Sequence, residues 1–300
     1  MSVTDHGIRD LYPTRIGAEA ALLYRKEDPV VYGRPNEGLL DRATLDSYED
    51  NGFLTVEELI TPAELLEYQA ELERLLTDDA IKRDERTVLE KDSGEVRSIF
   101  EVHKISEVIA GLVADERVVG RARQILGSDV YVHQSRVNYK PGFKGKEFYW
   151  HSDFETWHAE DGMPRMRAVS ISIALTDNHA YNGGLMIMPG SHKTFVSCVG
   201  ETPADHYRES LREQEIGTPD PLSLAVLAEK HGIELFTGPA GSATMFDCNC
   251  MHGSNGNITP FARSNVFVVF NSVDNTCVQP YAAPGRRPDF VAARDFTPVK

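Results

Sequence analysis

The chain has 300 residues, 41 % of them apolar, and its 46 acidic against 31 basic side chains leave a formal charge of −15. That length allows one large domain with a sizeable core, while so acidic a balance excludes a phosphate-binding nucleic-acid surface. No apolar run approaches the ~20 residues that would span a bilayer, and MSVTDHGIRDLYPTR lacks the basic-then-apolar pattern of a secretory signal. Together with four cysteines read as reduced thiols, this predicts a cytoplasmic protein with no membrane and no nucleic-acid partner.

Residues 1–40 are polar, punctuated by Pro and Gly, and read as an arm lying on the body. A helical part follows over 41–127. Its clearest helix is TPAELLEYQAELERLLTDD (61–79), where Thr61 can cap, Pro62 suits the first helical position and Glu64 completes a capping box. Leu65, Leu66, Leu72, Leu75 and Leu76 would form its apolar face. A second helix, about 115–126, ends at Gly127.

From Val130 the period changes to two. VYVHQSRVNYK, MRAVSISIALTDN, GGLMIMPG, GSATMFDCNCMH and RSNVFVVFNSV each read as a strand, bounded by Gly, Pro, Asn and Asp clusters. The expected fold is one mainly β domain with flanking helices. Its core, 128–300, would be a double-stranded β-helix (jelly-roll, cupin-like) barrel. A charged, helix-leaning insertion at about 201–236 interrupts the strands and is a candidate lid.

Successive strand side chains point to opposite faces. One parity collects Gln134, Arg136 and Asn138; Ala168, Ser170, Ser172 and Ala174; Thr244, Phe246, Cys248, Cys250 and His252; and Arg263, Asn265, Phe267 and Asn271. The other parity is bulky and apolar. A single polar face simply meets water, but four that mix Arg, Asn, Gln and Ser with Phe describe the lining of a cavity.

Within FYWHSDFETWH (148–158), His151 and Asp153 stand two apart, on the same side of an extended backbone. His252, ending the strand over 244–252 and followed by GSNG, is the best third ligand. Two histidines and a carboxylate on one face of a metal typify non-heme Fe(II) oxygenases. Alone, His-x-Asp arises readily by chance; Arg263, eleven residues past His252, adds a guanidinium that can clamp the far carboxylate of a 2-oxo acid. CNCMH (248–252) lacks the second ligand pair of a structural zinc site.

The order His-x-Asp … His … Arg resembles the phytanoyl-CoA hydroxylase branch of the Fe(II)/2-oxoglutarate dioxygenases. Within it, QSRVNYKPGFKGKEFYWHSDFETWHAEDGMPRMRA (134–168) is similar to the ectoine hydroxylases, as are LTDNHAYNGGLMIMPGSHK and MFDCNCMHGSNGNITPFARSNVFVVFNSV. The resemblance implies Fe(II) on His151, Asp153 and His252, with 2-oxoglutarate and O2 as cosubstrates. It implies 2-oxoglutarate held by Arg263 and flanked by Phe148, Asn138 and Ser170. It further implies ectoine, a small cyclic amidine carboxylate, as substrate, and a homodimer. Trp157 could stack on the cationic amidine, Phe246 and Phe267 could wall the ring, and Gln134, Arg136, Thr156, Ser172 and Asn265 could bind its polar edge. For each aromatic, ordinary core packing is the alternative.

The alternative within the enzyme class is the same oxygenase chemistry on another small amino-acid-like substrate; three further readings are weaker. Phytanoyl-CoA would need a long apolar tunnel and basic residues for the CoA phosphates, neither evident here. A halogenase would lack the carboxylate ligand, and Asp153 is present. A non-catalytic cupin-like osmolyte-binding protein would have no use for Arg263.

Overall fold

A computed structural model describes residues 9–17, 23–90, 93–211 and 216–300 of the chain. The first eight residues, part of the arm at 18–22, and 212–215 of the insertion lie outside the described residues. The arm contributes β1 (Leu23–Arg25) and leads into α1 (Arg42–Asn51), β2 (Phe53–Val56), α2 (Pro62–Thr77) and the short α3 (Asp79–Lys82). Then come β3 (Thr87–Leu89), β4 (Val96–Phe100), α4 (Val102–Ile105), α5 (Glu107–Ala114) and α6 (Glu116–Leu126). The β-rich part runs through β5 (Val130–Lys140), β6 (Phe148–His151), α7 (Asp153–Thr156), β7 (Ala168–Ala174), β8 (Leu185–Ile187) and β9 (Thr194–Val196). It ends with α8 (Tyr207–Ser210), α9 (Pro221–His231), β10 (Glu234–Phe236), β11 (Ala243–Asp247), β12 (His252–Ser254) and β13 (Arg263–Ser272).

The expected capping box starts α2: Thr61 accepts from the Glu64 N–H, and the Glu64 carboxylate accepts from the Thr61 N–H. Leu72 and Leu75 are buried as read, with Leu65 and Leu76 packed beside them, but Leu66 is 69 % exposed and leaves that face. Gly127 closes α6 in the left-handed region at φ 58°, where a Cβ would be strained.

Seven strands form one sheet in the order β2–β11–β7–β13–β5–β4–β3, and four form another, β10–β8–β12–β6. Three strands of the large sheet thus come from the part read as helical. They were illegible because they are short and because β4 is buried along its whole length, which erases any alternation. The insertion is partly strand too, since β10 pairs with β8 in the smaller sheet.

The parity reading carries over to three dimensions. Val137, Val169, Ile171, Ile173, Val266 and Val268 pack on one face of the large sheet against Tyr68, Leu72, Ile109, Val119 and Ile125 of the helices. Each such side chain stabilises by about 1.5–3 kcal/mol when withdrawn from water. The opposite face looks at the smaller sheet across Leu185, Ile187, Phe246, Cys250 and Phe267. This is a cupin-like jelly roll whose two sheets face each other without hydrogen-bonded closure into a barrel. Among the described residues no helix is long and apolar enough to cross a membrane.

Candidate metal centre and active-site cavity

His151 ends β6 and His252 begins β12, and the two are register partners in the smaller sheet. Their rings are 4.2 Å apart. His252 therefore does not end the strand that carries Phe246. The chain leaves the large sheet at Asp247, whose Oδ1 accepts from the Asn249 N–H while its carbonyl accepts from the Cys250 N–H, and it re-enters in the facing sheet. Such an Asx turn breaks the strand read over 244–252. Cys248 and Cys250 belong to this crossing, buried and unbridged.

Asp153 likewise is not on an extended strand. Ser152, at φ −105° and ψ 127°, is the last extended residue, and Asp153 opens a helical turn. The outcome is still convergent. His151 Nε2 lies 3.5 Å from Asp153 Oδ1 and His252 Nε2 lies 3.9 Å from Oδ2, and among the described residues this is the group able to hold a metal, its ligand atoms all within 4.8 Å. Ser170 Oγ donates to Asp153 Oδ2 at 3.2 Å from β7.

The arrangement suits an iron. His151 Nδ1 stands 2.6 Å from the Tyr149 carbonyl and His252 Nδ1 stands 3.0 Å from the Cys250 carbonyl. A carbonyl only accepts, so both Nδ1 atoms carry the proton and both Nε2 lone pairs face the gap. Burial raises the Asp153 carboxyl, but His252, His151 and Arg136 outweigh it and hold it well below the usual range. Burial and then His151 bring His252 down to about 4, so it is neutral and ready to ligate at physiological pH. Two imidazoles with their Nε2 atoms toward the gap and one carboxylate on the same side are the facial donor set of non-heme Fe(II).

One cavity joins this centre to Gln134, Arg136, Phe148, Thr156 and Trp157, all expected from the sequence, and to Ser98, Phe100, Glu160, Ser210, Leu211 and Arg287, which were not. Arg136 spans the rings of Phe100 and Phe267 at 5.8 and 5.3 Å, and its Nε has no partner. No carboxylate lies within ion-pair distance of it among the described residues. Gln134 Nε2 donates to the Val291 carbonyl at 2.7 Å, which ties the C-terminal segment to the wall. Asn138 accepts from Ser98 Oγ at 2.8 Å.

Arg263 is buried at the far end of the same face, in a recess with Ser172 and Thr244. Asn265 Nδ2 donates to Ser172 Oγ at 2.9 Å, so these two stand toward Arg263 rather than in the Trp157 cavity. Phe246 packs 4.9 Å from the His252 ring. Asn271, on the same parity but at the far end of the strand, donates to the Tyr131 hydroxyl instead.

Lys140 was missed. It is 4 % exposed and pairs in register with Arg263. Its Nζ donates to Ser254 Oγ at 3.0 Å and to the Asn255 carbonyl, with the Phe148 ring 5.4 Å away. Gly183 touches both cations: its carbonyl accepts from Arg263 Nη1 at 2.9 Å, and a Cβ on it would stand 3.0 Å from Lys140 Nζ. Strand parity with Asn138 was the available signal.

Comparison with known proteins agrees with this geometry. Residues 48–265 match the phytanoyl-CoA dioxygenase (PhyH) family. The ectoine dioxygenase of Streptomyces coelicolor is 64 % identical over the full length of both chains. That of Halomonas elongata is 53 % identical over 95 % of this chain and 86 % of its own. The crystal structure of EctD from S. alaskensis with 2-oxoglutarate and 5-hydroxyectoine superimposes with a TM-score of 0.87, at 46 % identity, over 97 % of this chain and 96 % of that one. Its iron-bound form gives the same TM-score at 44 % identity, covering 97 % and 98 % of the two chains.

Proposed function

Since the chain belongs to the phytanoyl-CoA dioxygenase family and, within it, to the ectoine dioxygenases, we propose that it hydroxylates ectoine to 5-hydroxyectoine. One 2-oxoglutarate and one O2 are consumed per turnover, and succinate and CO2 are released. The observation that carries the reading is the His151–Asp153–His252 cluster, with two buried cations on the same sheet, Arg263 and Lys140, that have no carboxylate within ion-pair distance among the described residues.

His151, Asp153 and His252 would hold Fe(II), which when bound supplies the oxygen activation and hydrogen removal that no side chain performs. The chain's own residues do the rest. Ser170 and the carbonyls of Tyr149 and Cys250 orient the ligands. Arg263, whose Nε and Nη1 are occupied by Asn178 Oδ1 and the Gly183 carbonyl, keeps its charge for the distal carboxylate of 2-oxoglutarate. Lys140 adds a second positive charge there. Phe148, braced by the Arg97 guanidinium 4.1 Å above its ring, covers the cosubstrate with Asn138.

Ectoine would place its carboxylate on Arg136 and its amidinium against Trp157, a contact worth ~0.5–2 kcal/mol. Thr156 and Gln134 complete its polar surroundings, Ser172 and Asn265 stand instead toward the Arg263 recess, and Phe246 and Phe267 keep water from the ring. The three chain segments, 1–40, 41–127 and 128–300, form a single domain in this proposal. A homodimer, checked by light scattering, and residence in the cytoplasm, in keeping with four free buried cysteines, belong to it as well. Incubation with Fe(II), O2, 2-oxoglutarate and ectoine tests the function: hydroxyectoine is the expected product, and its absence from iron-loaded protein would refute it.

A further inference from the structure

We propose that Arg15, from the N-terminal arm, is a positioning residue for this reaction: it grips a carboxylate on either side of Trp157 and so sets the wall that meets the cationic part of the substrate. The inference rests on the reading of Thr156 and Trp157 as substrate wall.

Arg15 is 4 % exposed, in a stretch of the arm that also buries Tyr12 and Thr14. Its Nε and Nη2 donate to Glu155 Oε1 and Oε2 at 3.0 and 2.8 Å, a two-pronged pair. Its Nη1 donates to Glu160 Oε1 at 2.6 Å. Thr14 Oγ1 donates to Glu155 Oε1 at 2.7 Å from the same arm. Glu155 precedes and Glu160 follows Trp157, and both carboxylates are buried. The backbone from Trp157 to Asp161 is a turn of π-helix, a rare conformation that concentrates at functional sites. Asp161, at its end, is held by Arg287 Nε and Nη2 at 2.8 and 2.5 Å. The turn is thus pinned from outside at two points, Glu160 and Asp161, and the helix before it at a third, Glu155, and the direction of the indole follows from them.

Two observations bind the insertion to the same guanidinium. Arg15 Nη1 also donates to Thr202 Oγ1 at 2.9 Å. Gly217, at φ +79°, lies so close that a Cβ there would stand 2.4 Å from Arg15 Nη2. Arg15 itself sits at φ 53°, a left-handed conformation that a non-glycine residue keeps only where its surroundings enforce it. One buried cation therefore joins the arm, the substrate wall and the insertion. A lysine has the charge but not the fork, and cannot reach both carboxylates and Thr202 in this geometry.

The test compares wild type, Arg15→Lys and the triple variant Arg15→Met/Glu155→Gln/Glu160→Gln as full-length, iron-loaded enzymes. The triple variant removes the buried charges together, so it avoids leaving carboxylates unpaired. KM for ectoine, KM for 2-oxoglutarate and hydroxyectoine formed per succinate are read for each. Expected are a rise in the ectoine KM of about ten-fold or more, a 2-oxoglutarate KM within about two-fold of wild type, and a product ratio below one. A folded triple variant with wild-type kinetics overturns the proposal, and so does a parallel rise of both KM values in either variant. The wild-type reaction keeps the two levels apart: no hydroxyectoine from wild type refutes the substrate, whereas hydroxyectoine with variants indifferent to the change refutes only Arg15.

Discussion

Lys140 and Arg263 are direct partners across β5 and β13, both buried, and neither has a carboxylate within ion-pair distance among the described residues. Two like charges side by side in a low-dielectric recess are costly unless an anion joins them. A dicarboxylate cosubstrate supplies that anion, which accounts for keeping both.

Burial, then Arg263 and Arg97, draw the Lys140 ammonium down to about 6, against the pull of Glu147 and Glu90. A carboxylate bound alongside favours the charged form, so 2-oxoglutarate binding takes up a proton at neutral pH. Affinity for 2-oxoglutarate is expected to fall as pH rises above about 6, and calorimetry in buffers of different ionisation enthalpy reads the proton. Lys140→Met should raise the 2-oxoglutarate KM about ten-fold or more and flatten this dependence, with the ectoine KM unchanged. For folding the sign is opposite to that of an ordinary paired lysine. The folded group binds fewer protons than the unfolded one between about 6 and 10.5, so its cost to stability is complete below that window and relieved as pH rises through it. The variant should therefore unfold at a higher temperature than wild type at pH 6.

Arg263→Lys tests the clamp. The guanidinium meets Asn178, Gly183 and the cosubstrate in different directions, and an ammonium cannot. A loss in kcat/KM for 2-oxoglutarate of about a hundred-fold is expected, against a small change in ectoine binding measured directly by calorimetry. Equal losses in both would point to general misfolding.

Asp153→Ala removes the single negative charge of the cluster and the acceptor for Ser170 Oγ. Iron content after dialysis should fall to background and turnover should cease. An iron-replete, active variant would exclude Asp153 from the ligand set.

Trp157→Phe keeps an aromatic face in a residue that is 3 % exposed and packs 5.2 Å from the His133 ring. It weakens the cation contact by a fraction of ~0.5–2 kcal/mol, so the ectoine KM should rise a few-fold while the 2-oxoglutarate KM holds. An unchanged ectoine KM would return Trp157 to the core.

What was legible in the chain is what strict alternation encodes. Residues 130–140 and 263–272 are strands from end to end, and their inner parity delivers Arg136, Asn138, Arg263 and Phe267 to one face. What was not legible depended on changes of direction. Asp153 was read onto a strand and opens a helix, because a single extended residue, Ser152, suffices to turn it toward Ser170. His252 was read onto the strand of Phe246 and stands in the opposite sheet, because the Asp247 side chain turns the chain between them. Arg15, Glu160 and Arg287 had no local pattern at all. They are brought together from three distant segments, and only their burial marks them.

The most direct test of the central claim is the stoichiometry of the wild-type reaction, followed by NMR with Fe(II), O2, 2-oxoglutarate and ectoine. One 5-hydroxyectoine per succinate is the predicted result. Iron-loaded, folded protein that forms succinate without hydroxyectoine would contradict the substrate, and protein that forms no succinate would contradict the oxygenase itself.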